Sequence, residues 1–219
     1  MGDDENPNAR LLALSDGVIA VAITLLILDI RLPEGFGSFT DAQLWDALVA
    51  LKPRFFAYLL SFVVIGGFWM NHSARFNHIV KADGALLWIN VLFLLTMSLV
   101  PFTTNLVAES GGTLATTIYA GSMVVSGLSL LWIWDHARRH KLIDPKTPPE
   151  EVRRISLSAM LVSAVFAISV PLSVAHSDLA KYFWLLMLPA NFGLRWLAVM
   201  RWKRDHPGEP FPKRDRSDT

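Results

Sequence analysis

Six long apolar stretches, at 11–30, 55–72, 85–107, 114–134, 155–175 and 182–200, dominate this chain of 219 residues. Most approach the roughly 20 residues that a helix rising about 1.5 Å per residue needs to cross a hydrocarbon core about 30 Å thick. A soluble helical bundle would show a polar stripe on most of its helices. Segments such as 91–95 and 123–134 contain no charged residue. Only 18% of the chain is charged against 53% hydrophobic, which excludes disorder and an ordinary water-soluble globule. The expected fold class is all-α: a polytopic membrane protein with six transmembrane helices in one domain over 1–204, followed by a polar tail at 205–219.

Charge removes other function classes and orients the chain. A net charge of +1 is too small for a nucleic-acid footprint, and with no cysteine there is no thiolate metal site or thiol catalysis. Of the 20 Lys and Arg residues, 15 fall at the N-terminus, between the second and third spans, between the fourth and fifth, and after the sixth. The opposite side holds only Arg31, Lys52, Arg54 and Lys181, while Arg195 lies within the last span. The positive-inside rule therefore predicts cytoplasmic termini, as an even number of spans requires. Residues 1–9 are acidic and offer no basic n-region, so the first span reads as a retained helix rather than a signal peptide.

The connecting segments add little chemistry. Leu44, Trp45, Leu48 and Leu51 are spaced for a short helix over 41–51. It fits either the outer membrane interface, where Trp is favoured, or a surface helix packed on the bundle. Pro148 and Pro149 are placed to open the fifth span. The tail, with Pro207, Pro210 and Pro212, reads as disordered.

The first span is unusual in carrying Asp16 towards one end and Asp29 towards the other, with Arg10 and Arg31 at its flanks. Ionisable groups in a membrane are costly and normally face protein or water. Asp29 and Arg31 also fit plain interfacial positions. At about 100° per residue, Leu28, Leu25 and Thr24 fall within about 60° of Val21, whereas Ser15 falls about 120° and Asp16 about 140° away. An apolar stripe with one threonine thus runs along one face, and the acid and hydroxyl point elsewhere. Spacing alone leaves that stripe open to helix packing or lipid contact.

The stretch from Arg10 through Leu14, Ser15 and Asp16 to Thr24 and Asp29 resembles the first-helix signature of the transmembrane protein 175 potassium-channel family. That signature is Arg, three residues, Phe-Ser-Asp, then an apolar run with a threonine; here Leu14 stands where the family usually has Phe. Trp69-Met-Asn-His72 with Arg75 and Phe76 resembles the end of the family's second helix, and Trp88, Asn90, Pro101 and Phe102 its third. The later spans match in hydropathy alone.

For a chain with one repeat, the resemblance implies a potassium-permeable homotetramer whose first helices surround a pore and whose selectivity does not use a carbonyl filter loop. Pore positions carried over are Val21, Thr24 and Leu28; Leu25 is added from its place on the stripe. Val21 and Leu28 would make apolar constrictions that close by dewetting, and Thr24 hydroxyls would receive a partly dehydrated cation. Asp29 would ring the outer mouth. Arg10, Ser15 and Asp16 are expected to join His72 and Asn90 in a structural polar network that fixes the pore helix, with His72 lending pH sensitivity. His72 also fits a simple interfacial residue at a helix end. The implied partners are other copies of the chain and the cell membrane's bilayer, without nucleic acid; no cofactor is implied beyond permeant K⁺. A proton-coupled secondary transporter is the competing reading, although it would want broken helices and midplane carboxylates. Neither HExxH nor GxSxG occurs, so no enzyme is read.

Overall fold

The structure is a computed structural model that describes residues 7–185 together with 193, 196, 199, 200, 203 and 204. Among the described residues every regular element is a helix, apart from one isolated antiparallel bridge, and five helical segments are long and apolar enough to cross a membrane. Helix α1 spans Pro7–Leu25, α2 Asp41–Ala50, α3 Lys52–Phe76, α4 Gly84–Ser98, α5 Val100–Ser110, α6 Thr113–Arg139, α7 Pro149–Ala175 and α8 Ser177–Trp184. Most of the expected sixth span, 182–200, and the 205–219 tail lie outside the described residues.

Local chemistry sets the boundaries. Thr40 and Gln43 form a reciprocal capping box that opens α2, with Thr40 N–H donating to Gln43 Oε1 at 2.9 Å. Asp83 Oδ1 accepts Leu86 N–H at 2.8 Å and starts α4. Pro148 precedes α7 and Pro149 occupies its first turn, where a missing N–H costs nothing. Helix α3 runs longer than the apolar stretch that announced it, because its polar ends continue the helix to Phe76.

The expected third span is one rod by length but two helices by hydrogen bonding. Helix α4 ends at Ser98 and α5 begins at Val100, with Leu99 between them. Pro101 has no N–H for the carbonyl one turn earlier and its ring crowds that carbonyl, so the ladder must break there. The chain still passes through, since Thr103 N–H reaches Leu99 O at 3.1 Å.

Helix α2 buries none of its residues and leaves Trp45 67% exposed. Its Leu44 and Ala47 are half-buried, so the helix lies on the surface of the bundle, which fits either placement.

The core is an aromatic column. His72 stacks on Phe93 at 5.1 Å, Phe68 follows at 6.4 Å from Phe93, Phe166 at 6.0 Å from Phe68, and Trp184 bridges Phe166 at 6.0 Å to Tyr119 at 4.5 Å. This column joins α3, α4, α6, α7 and α8. Around it the helices approach closely through small residues: a Cβ on Gly127 of α6 would lie 2.5 Å from Ser163 Oγ and 3.2 Å from Ser163 Cα on α7. In a bilayer, where apolar burial drives little association, such close contact and interhelical hydroxyl bonds hold helices together. Ser126 to Thr96 at 2.8 Å, Thr104 to Ser61 at 2.8 Å and Ser61 to Tyr119 at 3.1 Å are three of those bonds.

Candidate functional site

Helix α1 packs on one side only. Asn8, Leu11, Ser15, Ile19, Ala22 and Leu26 recur every three or four residues and are buried against the bundle. The other side is open: Leu14, Val21, Leu25 and Leu28 are 53%, 56%, 43% and 56% exposed. Ala13, Gly17 and Val18 join Leu14, Val21 and Leu25 to line an apolar groove, with Ser98 of α4 at its edge. The stripe expected from the helical wheel is thus the uncovered face. Over its most apolar 18 residues the first span is 28% buried, against 39–50% for the other four spans.

Thr24 is also exposed on this helix, and its Oγ1 donates to Val21 O at 2.9 Å. That bond commits the hydroxyl hydrogen to the helix backbone. The oxygen lone pairs remain available, so the side chain presents an acceptor rather than a donor.

One expectation about α1 is corrected. The α-helix does not run unbroken to residue 30; it ends at Leu25 and tightens into a 3₁₀ turn over Leu26–Asp29. No glycine is there to supply a left-handed cap, and tightening the last turn is the alternative way to satisfy terminal carbonyls. Ile30 N–H reaches Ile27 O at 3.1 Å, and Arg31 Nε donates to Leu28 O at 3.0 Å. Leu28 therefore projects from the tighter turn, displaced from its ideal α-helical angle, while Asp29 is half-buried at its end.

The opposite face of α1 carries the polar chain. Ser15, His72 and Asn90 are each 0% exposed. Asn90 Nδ2 donates to Ser15 Oγ at 3.0 Å, Ser15 Oγ donates to Leu11 O at 2.8 Å, and His72 Nε2 meets Asn90 Oδ1 at 2.8 Å. Because the amide nitrogen is used on Ser15, Asn90 presents its oxygen to the ring, so His72 Nε2 is the donor. The chain links α1, α4 and α3 and fixes α1 in rotation, since turning it would strand buried polar atoms.

One member of the expected network sits elsewhere. Asp16 is exposed and bonds none of these three; Trp69 Nε1 donates to its Oδ1 at 2.8 Å instead. Residues adjacent on a helix point about 100° apart, so Ser15 and Asp16 cannot both enter the same buried site. Trp69 and His72, one turn apart on α3, thus hold Asp16 directly and Ser15 through Asn90. Arg10 is exposed on α1.

His72 lies between Phe93 and the ring of Phe76, 4.4 Å away, with no carboxylate bonded to it. A charged imidazole there would have no compensating partner, which favours a fixed neutral donor over a pH switch.

Sequence reasoning missed Arg75 and Asn71 as site residues. Arg75 is 1% exposed; its Nη1 donates to Asn71 O and its Nη2 to Ile155 O at 3.3 Å. Asn71 Oδ1 accepts Ser158 Oγ at 2.5 Å. The pair bolts the end of α3, one turn beyond His72, to α7. The available signal was the short spacing of Arg75 from His72 on one helix, which a count of loop charges absorbs as topology. Among the described residues no group of histidine and acidic side chains is arranged to hold a metal.

The family described as "Endosomal/lysosomal potassium channel TMEM175" matches residues 10–101, the segment that contains α1 and its partners on α3 and α4. A potassium channel of Streptomyces collinus is 37% identical over 198 residues, which is 84% of this chain and 95% of that protein. The human endosomal/lysosomal proton channel TMEM175 is 41% identical over 90 residues, 39% of this chain and 18% of its own length. Among solved structures, a lysosomal potassium-selective channel TMEM175 homolog from Chamaesiphon minutus superposes with a TM-score of 0.71 at 27% identity, covering 87% of this chain and 97% of that one. A match of that extent along both sequence and fold has one consequence: the chain belongs to the TMEM175 family of ion channels.

Proposed function

We propose that the chain forms a potassium-permeable cation channel in the cell membrane, a homotetramer in which the first helices line the pore and aliphatic rings gate it. The observation that carries this reading is the uncovered face of α1, where Val21, Thr24, Leu25 and Leu28 lie together opposite a buried face locked by Ser15. A membrane helix held firmly on one side and bare on the other is suited to meet its own copies around an axis. Relatives bearing potassium-channel names support the ion.

In this arrangement Val21 and Leu28 form narrow apolar rings, which exclude water when their diameter falls and so close without a moving plug. Between them Thr24 offers oxygen lone pairs to a cation that has shed part of its shell. Potassium sheds water more readily than sodium, which biases passage towards it. Asp29 at the end of the tightened turn would concentrate cations at the mouth. Residues 1–204 make the channel domain, 205–219 a cytoplasmic tail, and both termini lie in the cytoplasm by the distribution of Lys and Arg.

Purified protein in liposomes tests this. With a potassium gradient, current should reverse at the potassium equilibrium potential and flow without stoichiometric coupling. Flux tied to protons in a fixed ratio would instead establish the transporter reading. The animal relatives are named proton channels, so the reversal potential is measured against a proton gradient as well.

A further inference from the structure

A second cluster of titratable side chains lies at the end of the bundle that holds Asn8. Two loops meet there. Val80 N–H donates to Leu142 O at 2.9 Å and Asp144 N–H to His78 O at 2.8 Å, placing Ile79 and Ile143 opposite each other in an antiparallel bridge. Buried Asn8, in the first turn of α1, donates Nδ2 to Ile79 O at 2.9 Å. The start of the candidate pore helix is therefore fastened to the seam between the α3–α4 and α6–α7 loops.

An imidazole faces a carboxylate on each side of this seam. His78 Nε2 is 3.7 Å from Glu151 Oε1 on α7, and its Nδ1 is 3.3 Å from Thr147 Oγ1. His136 Nε2 on α6 lies 2.8 and 3.0 Å from the two oxygens of Asp83, which also caps α4. The other charged groups facing these rings are Arg154, paired with Glu151 at 2.5 Å, and His140, stacked on His136 at 4.1 Å. Lys81, Arg138, Arg139 and Lys141 are exposed around the rim.

We infer that this seam is a proton-responsive latch on the N-terminal end of α1: protonation of His78 and His136 from that face of the membrane tightens it, and deprotonation loosens it. An imidazole ordinarily titrates near pH 6.5, and its cationic form binds a carboxylate more strongly than its neutral form. The Leu86 N–H, with the His136 ring beside it, holds the Asp83 carboxyl below the usual carboxylate range. Asp83 therefore stays charged through the window in which imidazoles ordinarily titrate and offers the ring a fixed anion. The latch adds regulation to the channel reading and rests on it only for the effect on flux.

Amide exchange in the full-length reconstituted protein tests the latch without requiring conduction. Protection of Val80 and Asp144 amides, corrected for intrinsic rates, is expected to be about threefold greater at pH about 5.5 than at pH about 7.5. The double variant His78→Gln with His136→Gln should lose that difference. Asp83→Asn keeps an oxygen for the α4 cap while removing the charge, and should lose part of it. Equal protection at both pH values in the parent, or a double variant that keeps the parent's response, would overturn the latch. In protein that conducts, acidifying one bath alone should change the potassium flux; seam protection that follows pH while flux follows neither bath would also overturn it.

Discussion

Asn90 is the residue on which the placement of α1 turns, because it uses both ends of its amide at once, towards Ser15 and towards His72. Replacing it by Leu, close in size, leaves the buried His72 Nε2–H without an acceptor, while Ser15 Oγ keeps its bond to Leu11 O. A stranded buried donor costs about 1–3 kcal/mol, so Asn90→Leu should lower stability by that amount in a thermal or denaturant melt. A melt equal to the parent's would remove the chain of bonds from the account. Asp16 gives a contrasting case. Asp16→Asn retains an oxygen for Trp69 Nε1 and should fold and conduct close to the parent, whereas Asp16→Leu should lose the bond. In the proposed pore Thr24 would bear on selectivity: Thr24→Val keeps shape and removes the oxygen, so potassium preference over sodium should fall, measured as a shift in bi-ionic reversal potential.

Two helix features carry predictions of their own. Helix α6 ends in a Schellman turn, with Leu142 N–H on Ala137 O at 2.8 Å, and its left-handed position is filled by Lys141 at φ 56° rather than by glycine. Lys141→Gly should therefore raise stability by about 1 kcal/mol, read as a higher melting temperature. On the same helix, Gly127→Val would drive a branched side chain into Ser163 and should cost about 1–3 kcal/mol. Much of the helical layout is legible in sequence because lengths of apolar run and the flanking Pro and Asp residues are local signals. The bare stripe on α1 is legible too, since period and composition suffice to define a face. What sequence hides depends on partners. Which acceptor meets Trp69 is set by how α3 packs on α1, and whether Arg75 is buried by how α3 packs on α7. The 3₁₀ turn after Leu25 escapes a wheel drawn at one fixed angle per residue. The break at Leu99 is signalled by Pro101, yet hydropathy reads straight across it.

For the whole molecule, the account divides labour between two ends of one helix. The bundle of α3 to α8 is a rigid holder, built on an aromatic column and hydroxyl bonds, and α1 is its working surface. Charge at the Asn8 end, on the seam of His78 and His136, then becomes a handle on that surface. Because the chain contains no cysteine, single cysteines can be placed along α1 without background. The most direct measurement is potassium flux in such variants under a water-soluble thiol reagent. Val21→Cys, Leu25→Cys and Leu28→Cys should be blocked on modification, and potassium should slow the reaction, while Ile19→Cys and Ala22→Cys on the buried face should be untouched. Modification that blocks flux from the buried face, or leaves it unchanged at all three stripe positions, would contradict a pore lined by α1.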